Sequence, residues 1–166
     1  MEKYNNLEFY DLIQPILDHK EFQKLKKIKH HGISRFDHCM RVSYYTYLVA
    51  KGFGLNYKEA TVAALLHDFF TDEVSDENSI SRLRKHPSFA VENAKKYFAL
   101  SPLQEDIILR HMFPVTLTPP KYLESWIVDF IDDLAAIYEQ SHSTRRELSA
   151  ATTFLFLFLI QYFKMR

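Results

Sequence analysis

The sequence contains a single cysteine, Cys39, and has no excess of charge of either sign. One thiol excludes an intramolecular disulfide framework and a zinc site built from several cysteines, so we expect a reducing, cytoplasmic location. Lys and Arg together number 21, and so do Asp and Glu. Without an overall basic field, the chain carries no strong signal for binding nucleic acid or an anionic membrane, and a small-molecule ligand suits it better.

Glycine and proline are also scarce, with three and six residues. Hydrophobic residues make up 47% of the chain and aromatic residues 15%. This composition favours packed helices over turn-rich sheets. A length of 166 residues fits one domain whose core needs no disulfides. We therefore predict a single all-α domain over residues 1–166.

We expect neither a secretory signal nor a membrane-spanning segment in this chain. Its first residues are acidic and polar instead of basic and then apolar. The long apolar stretch near the C-terminus is shorter than the roughly 20 residues of a bilayer crossing, and it contains Thr152, Thr153 and Gln161. We predict an apolar helix over about 144–164. Because FLFLFLI at 154–160 is apolar at every position, such a helix would expose a hydrophobic side unless two surfaces cover it, and this favours a homo-oligomer.

Capping residues mark where helices begin. The segment SRFD at 34–37 has the pattern of a capping box, and Asn56 opens the next predicted helix. Pro87 and Pro102 stand where first-turn prolines stand, so a helix is predicted to begin at each. After a break at TLTPPK, residues 121–140 have strong helical periodicity.

Two histidines lie on inward stripes of predicted helices, because residues three, four, seven or eleven positions apart share a helix face. The stripe through His38 contains Val42, Tyr45 and Val49. The stripe through His67 contains Ala60, Ala63 and Ala64. The small alanines let a neighbouring helix come close, so the two histidines are expected to point into one interior.

Two more histidines lie near predicted helix ends. His86 precedes the predicted start at Pro87, and His111 ends the helix SPLQEDIILRHMF. A single inward histidine is most often a hydrogen-bonded core residue, so a structural helical domain with core histidines is one interpretation. Four together, with Asp68 beside His67, favour a metal site built from nitrogen and oxygen ligands.

The order of these residues resembles a known family. The pattern His38, His67-Asp68, His86-Pro87, His111 and a later Asp resembles the HD-domain superfamily of metal-dependent phosphohydrolases, over about 31–138. The segments HGISRFDHCMRVSYYTYLVAKGFGL, ALLHDFF, HP and RHMFP are similar to a small single-domain bacterial branch of it. The resemblance implies a helical bundle of roughly seven to nine helices.

The resemblance also implies the ligands. One metal would be held by His38, His67, Asp68 and an Asp of the helix 121–140, and His86 and His111 match the extra ligands of members with two metals. The inward stripe of that helix is predicted as Leu123, Ile127, Ile131, Leu134 and Tyr138. Asp129 projects away from this stripe and is the poorest candidate for the ligand. Periodicity does not decide between Asp132 and Asp133, which flank the stripe on opposite sides. Relatives read Ala-Asp-Lys at this point, and that alignment selects Asp132.

Such a site implies divalent transition metal ions, two in number, with Fe or Mn first and Zn, Mg, Ni or Co as alternatives. Asp68 would bridge the ions as the catalytic carboxylate, and a metal-bound hydroxide would attack a phosphomonoester or phosphodiester of a nucleotide-like small molecule. His31, Arg35 and Arg110 are the candidates for contacting this phosphate ester. A metal-binding regulatory or interaction module without turnover is the alternative, and oxygenase chemistry, found in a few diiron relatives, is a remote one.

Overall fold

Helices form nearly all of the regular structure in the computed structural model, which describes residues 4–30, 32–71 and 79–142. Seven α-helices lie in these ranges: α1 Leu7–Leu17, α2 Lys20–Gln23, α3 Arg35–Gly52, α4 Tyr57–Leu66, α5 Ser79–Tyr97, α6 Pro102–Arg110 and α7 over 123–142. A 3₁₀ turn, Lys24–Lys27, leads into a two-residue hairpin in which strand β1 Lys29–His30 pairs antiparallel with strand β2 Ile33–Ser34. The predicted all-α bundle is confirmed. The predicted apolar helix over 144–164 lies outside the described residues.

Three of the predicted helix starts are confirmed by their caps. The Ser34 hydroxyl accepts the backbone N–H of Asp37 at the start of α3, and the Asn56 side chain accepts the N–H of Glu59 at the start of α4. Ser101 forms a capping box before Pro102. These bonds satisfy donors that the first helical turn leaves without partners, so each helix begins at a defined residue.

The helix start predicted at Pro87 is wrong. Helix α5 begins at Ser79 and continues through Pro87 to Tyr97. The preceding residues include good helix formers such as Leu83 and Lys85. The helix therefore tolerates the loss of the one hydrogen bond that proline cannot donate. His86 therefore lies within a helix, on a buried face that it shares with Ala90 and Ala94.

The centre of the fold is formed by α3 and α4, with α6 packed on α4 and α5 packed on α6. The buried face of α3 contains His38, Val42, Thr46 and Ala50. Tyr45, predicted on this face, is instead half exposed. The small side chains of α4 allow close packing, and they bring the end of α4 to the middle of the bundle.

The buried face of α7 is rotated from the one predicted. Leu123, Leu134 and Tyr138 are exposed, whereas Ile131 is buried and Ile127 is partly buried. Apart from Ile131, the buried residues are small or polar: Ser125, Val128, Asp129, Asp132, Ala135 and Glu139. Apolar periodicity selects the face with the most hydrophobic side chains, and most of that face of α7 points outward.

Two buried carboxylates fix the connection between α6 and α7. Asp106 accepts the backbone N–H of Lys121 at 3.0 Å and the Ser125 hydroxyl at 2.7 Å. Asp129 accepts the N–H of Phe113 at 3.1 Å. Both anchors hold the start of α7 against the end of α6. Among the described residues, no helix combines the length and the apolar character that crossing a membrane requires.

Burial and the nearby charge of Asp133 raise the pKa of Asp129 to about 7. As pH rises above about 4, this carboxyl ionises first in the unfolded chain, so ionisation lowers the stability of the folded protein up to about pH 7. Asp129→Asn keeps an oxygen for the Phe113 N–H and cannot ionise. We expect its gain in free energy of unfolding over wild type to grow from pH 4 to pH 7 and then level off.

Urea unfolding at pH 4.5, 6 and 8 measures this gain. Asp11→Asn, on an exposed position of α1, serves as the control. A gain that is the same at all three pH values would contradict the assignment of the raised pKa to Asp129.

Candidate metal centre

Five helices bring the six predicted metal ligands together. His38 comes from α3, His86 from α5 and Asp132 from α7, whereas His67-Asp68 and His111 follow the last residues of α4 and α6. All six are buried. They form three overlapping groups whose nitrogen and oxygen atoms lie within 4.8 Å of one another: His38 with His67 and Asp68, His67 with His111 and Asp132, and Asp68 with His86 and His111.

Each of the two carboxylates faces a pair of imidazoles. Asp132 Oδ1 lies 2.8 Å from His38 Nε2 and 3.4 Å from His67 Nε2. Asp68 Oδ1 lies 3.3 Å from His86 Nε2 and 3.8 Å from His111 Nε2. The two halves are joined by the ring contact of His67 with His111, whose centroids lie 4.9 Å apart.

The outer nitrogens of three histidines face fixed acceptors. His67 Nδ1 lies 2.7 Å from the carbonyl oxygen of Ala64, and His111 Nδ1 lies 2.8 Å from that of Ile108. His38 Nδ1 lies 2.9 Å from Glu139 Oε2. Because these oxygens only accept, each Nδ1 carries a proton, so His67 and His111 direct Nε2 toward the centre. Metal-ligating histidines are usually oriented in this way. The His111 ring is neutral, whereas burial acts to lower the pKa of His67 but the charges of Asp132 and Asp68 raise it.

Two features test whether a cation fits. His67 Nε2 is fully buried and lies 3.4 Å from Asp132 Oδ1 without the geometry of a hydrogen bond. His86 Nε2 and His111 Nε2 lie 2.8 Å apart, and two lone pairs at this distance repel, so the pair needs a proton or another cation. Nitrogen and oxygen donors at such positions suit a divalent transition metal. The residues present therefore fit a divalent transition metal ion.

The pKa values describe a centre that already holds positive charge. Burial lowers the pKa of His38, but hydrogen bonds to Asp132 and Glu139 outweigh burial and raise that pKa to about 10. Burial and the nearby His67 and His86 lower the pKa of His111 to about 3. Burial acts to raise the pKa of Asp132, but His67 and His38 hold it well below its usual range. Asp132 is therefore ionised and His111 neutral, the forms that bind metal.

The structure also separates the three aspartates of α7. Asp132 lies in the cluster, whereas Asp133 is exposed. Asp129 is buried, but it accepts the Phe113 N–H and belongs to none of the three groups. Periodicity did not decide which of Asp132 and Asp133 points inward, because the predicted inward stripe differs from the buried face of the helix.

The residues expected to contact a phosphate ester are placed differently from one another. Arg35 is buried beside the cluster, with Nε 3.8 Å from Asp68 Oδ2 and its guanidinium 3.9 Å from the centre of the Phe70 ring. Arg110 forms an ion pair with Asp106 and donates to the Pro119 carbonyl. His31 lies outside the described residues. Of these three, the structure brings Arg35 to the cluster.

Sequence reasoning missed Glu139. This carboxylate is buried on α7, seven residues after Asp132 and therefore on the same face. Besides its contact with His38 it forms an ion pair with Arg41. The signal was present in the spacing of Asp132 and Glu139, which two helical turns bring onto one side.

Comparison with protein-family models gives a match to the HD domain over residues 35–137, more than half of the chain. No curated protein and no solved structure gives a significant match. The matched residues contain all six members of the buried His/Asp cluster. The chain therefore belongs to the HD domain family.

Proposed function

We propose that the protein is a metal-dependent phosphohydrolase that cleaves a phosphomonoester or phosphodiester of a nucleotide-like small molecule. The observation that carries this proposal is the convergence of four imidazoles and two carboxylates in one buried cluster. The HD domain family consists generally of metal-dependent hydrolases, which supports the reaction class. The single cysteine is free and buried, which suits the cytoplasmic location that we propose.

Two sets of ligands can be drawn from the cluster. A first ion would be held by His38, His67, Asp68 and Asp132. A second ion would be held by His86 and His111, and both ions would share Asp68. Fe or Mn suits these donors best, with Zn, Mg, Ni or Co as alternatives. Bound divalent ions supply a water of lowered pKa and polarise phosphoryl oxygens.

The protein's own groups would position the ester. Among the six candidate ligands, Asp132 and His86 have the most accessible side chains, 11% and 10% exposed, so a substrate would approach from their side. Asp68 presents Oδ1 to His86 and His111 and Oδ2 to Arg35. Arg35 also donates Nη1 to the Phe70 carbonyl oxygen at 2.8 Å, and its charge keeps positive potential beside the carboxylate, which would attract a phosphate oxygen. Contacts of His31 and Arg110 with the ester are further parts of the proposal.

The first test measures metal content and turnover together. Wild-type protein reconstituted with Mn or Fe is expected to hydrolyse at least one member of a panel of aryl phosphates, phosphodiesters and nucleotides. His38→Ala and His67→Ala should each lose bound metal and activity with unchanged helical circular dichroism, because each removes an inward Nε2.

His142→Ala, which removes an exposed histidine outside the cluster, is the control and should retain both properties. Metal binding without turnover on any substrate would support a regulatory module instead. Full metal content in either cluster variant would show that the ligand assignment is wrong.

A second prediction concerns the number of ions. We expect the metal-to-protein ratio to approach two after anaerobic reconstitution of the wild type. His86→Ala and His111→Ala should bring the ratio toward one, because the ligands of the first ion stay intact. A wild-type ratio that saturates near one and is unchanged in both variants would leave a one-metal site.

A third prediction concerns Glu139 as a positioning residue. Glu139→Gln keeps an oxygen for His38 Nδ1 but removes the negative charge, so we expect metal affinity to fall by about tenfold, with a larger loss in Glu139→Ala. Competition with a chelator measures the affinity, and thermal unfolding of the metal-free protein measures stability.

Glu92→Gln, at an exposed position of α5, is the matched control. A merely structural role of Glu139 would lower the thermal midpoint and leave the metal affinity of the folded protein unchanged. That result would remove Glu139 from the site.

A further inference from the structure

The outward face of α7 is strongly apolar. Trp126, Phe130, Leu134 and Tyr138 follow one another at intervals of four residues and so form one row along the helix. Phe130 is 63% exposed, Leu134 is 49% exposed and Tyr138 is 53% exposed. Contiguous exposed apolar surface of this kind marks an interaction site in a folded protein.

Part of this row forms one wall of a groove. The opposite wall comes from Tyr45 and Val49 of α3 and from Phe53, which follows its last residue. Phe130, Leu134 and Tyr138 of α7 line the other wall, and the groove has a volume of about 790 Å³. Tyr45 and Phe53 are exposed, like the residues of the row. The groove therefore has the width and chemistry to receive large apolar side chains.

The chain continues beyond this groove with a segment of matching chemistry. Helix α7 is described up to residue 142, one turn past Tyr138, and 24 residues follow, 143–166. Residues 148–163 contain no charged side chain, and 154–160 read FLFLFLI. The most apolar run of the protein thus begins at Phe154, 16 residues after Tyr138 of the groove.

We propose that residues 154–160 dock into the groove between α3 and α7 of the same chain. The 11 residues 143–153 are more than the two to eight that commonly connect antiparallel elements, so the chain can reverse and run back along α7. A segment tethered so closely has an effective concentration in the millimolar range for its own groove. This tethering favours the same chain over a second copy. The proposal does not depend on bound metal.

Cysteine cross-linking in the full-length chain tests the proposal, because the native Cys39 is completely buried and does not compete. Leu134→Cys is combined in turn with Leu155→Cys, Leu157→Cys and Leu159→Cys, and each protein is treated with a short bismaleimide. We expect an intrachain product on the monomer for at least one pair. Because Leu134 is half exposed, its substitution should leave the helical circular dichroism unchanged.

Leu109→Cys, on α6 and outside the groove, is the matched control, since Leu109 is 38% exposed. The same three tail positions are paired with it. We expect at least fivefold more intrachain product with Leu134→Cys than with Leu109→Cys. Equal yields from both, no product from either, or a product that links two chains would overturn the proposal, and the last result would identify a second copy as the occupant.

Discussion

Two carboxylates in the helical interior, Asp68 and Asp132, set the constraint on which the rest of the structure depends. An ionised carboxylate without partners costs several kcal/mol to bury. Asp132 is balanced by His38 and His67, whose pKa values are raised, and Asp68 by Arg35, with the rings of His86 and His111 beside it. Because these charged partners come from α3 and from the end of α4, moving either helix would leave buried charge without compensation. Helix packing and charge balance in this protein are therefore one requirement.

The position of each histidine in its helix decides how it is oriented. His67 and His111 each follow the last residue of a helix and bond through Nδ1 to a carbonyl three residues earlier. Carbonyls in the last turn of a helix have no partner within it, so one bond both satisfies the helix end and fixes the ring. His38 lies near the start of α3. A side chain from another helix, Glu139, provides the acceptor for its Nδ1.

Local signals in the sequence predicted much of this arrangement. Side-chain caps identified the starts of α3, α4 and α6, and the spacing of alanines around His67 predicted the close packing of α4. The pattern of separated histidines and aspartates, read as a family resemblance, named the six residues that the structure brings together, and the family match supports that resemblance. Pro87 misled because a proline inside a helix and a proline at its start look alike in a sequence.

The same reasoning could not predict which face of α7 is buried, because that face is determined by the polar side chains that the helix supplies to the cluster. Periodicity assumes that the most apolar face is buried because burial of apolar surface stabilises a helix. In α7 the inward face instead supplies Asp132 and Glu139 to the cluster, and Ser125, Val128, Ile131 and Ala135 are buried on the same side. Glu139 was missed for the same reason.

The two sides of α7 therefore differ in what they contribute: the inward side supplies polar groups to the site, and the outward side carries most of the large apolar side chains. The inward face buries Val128, Ile131 and Ala135, of which only Ile131 is large, and the charges beside them contribute to the site more than to stability. Most of the large aromatic and aliphatic side chains stand on the outward row, where Phe130 is 63% exposed. Burial of this outward row would therefore add hydrophobic stabilisation that the inner face supplies only in part. Coverage of the groove between α3 and α7 therefore bears on how firmly Asp132 and Glu139 are held in the centre.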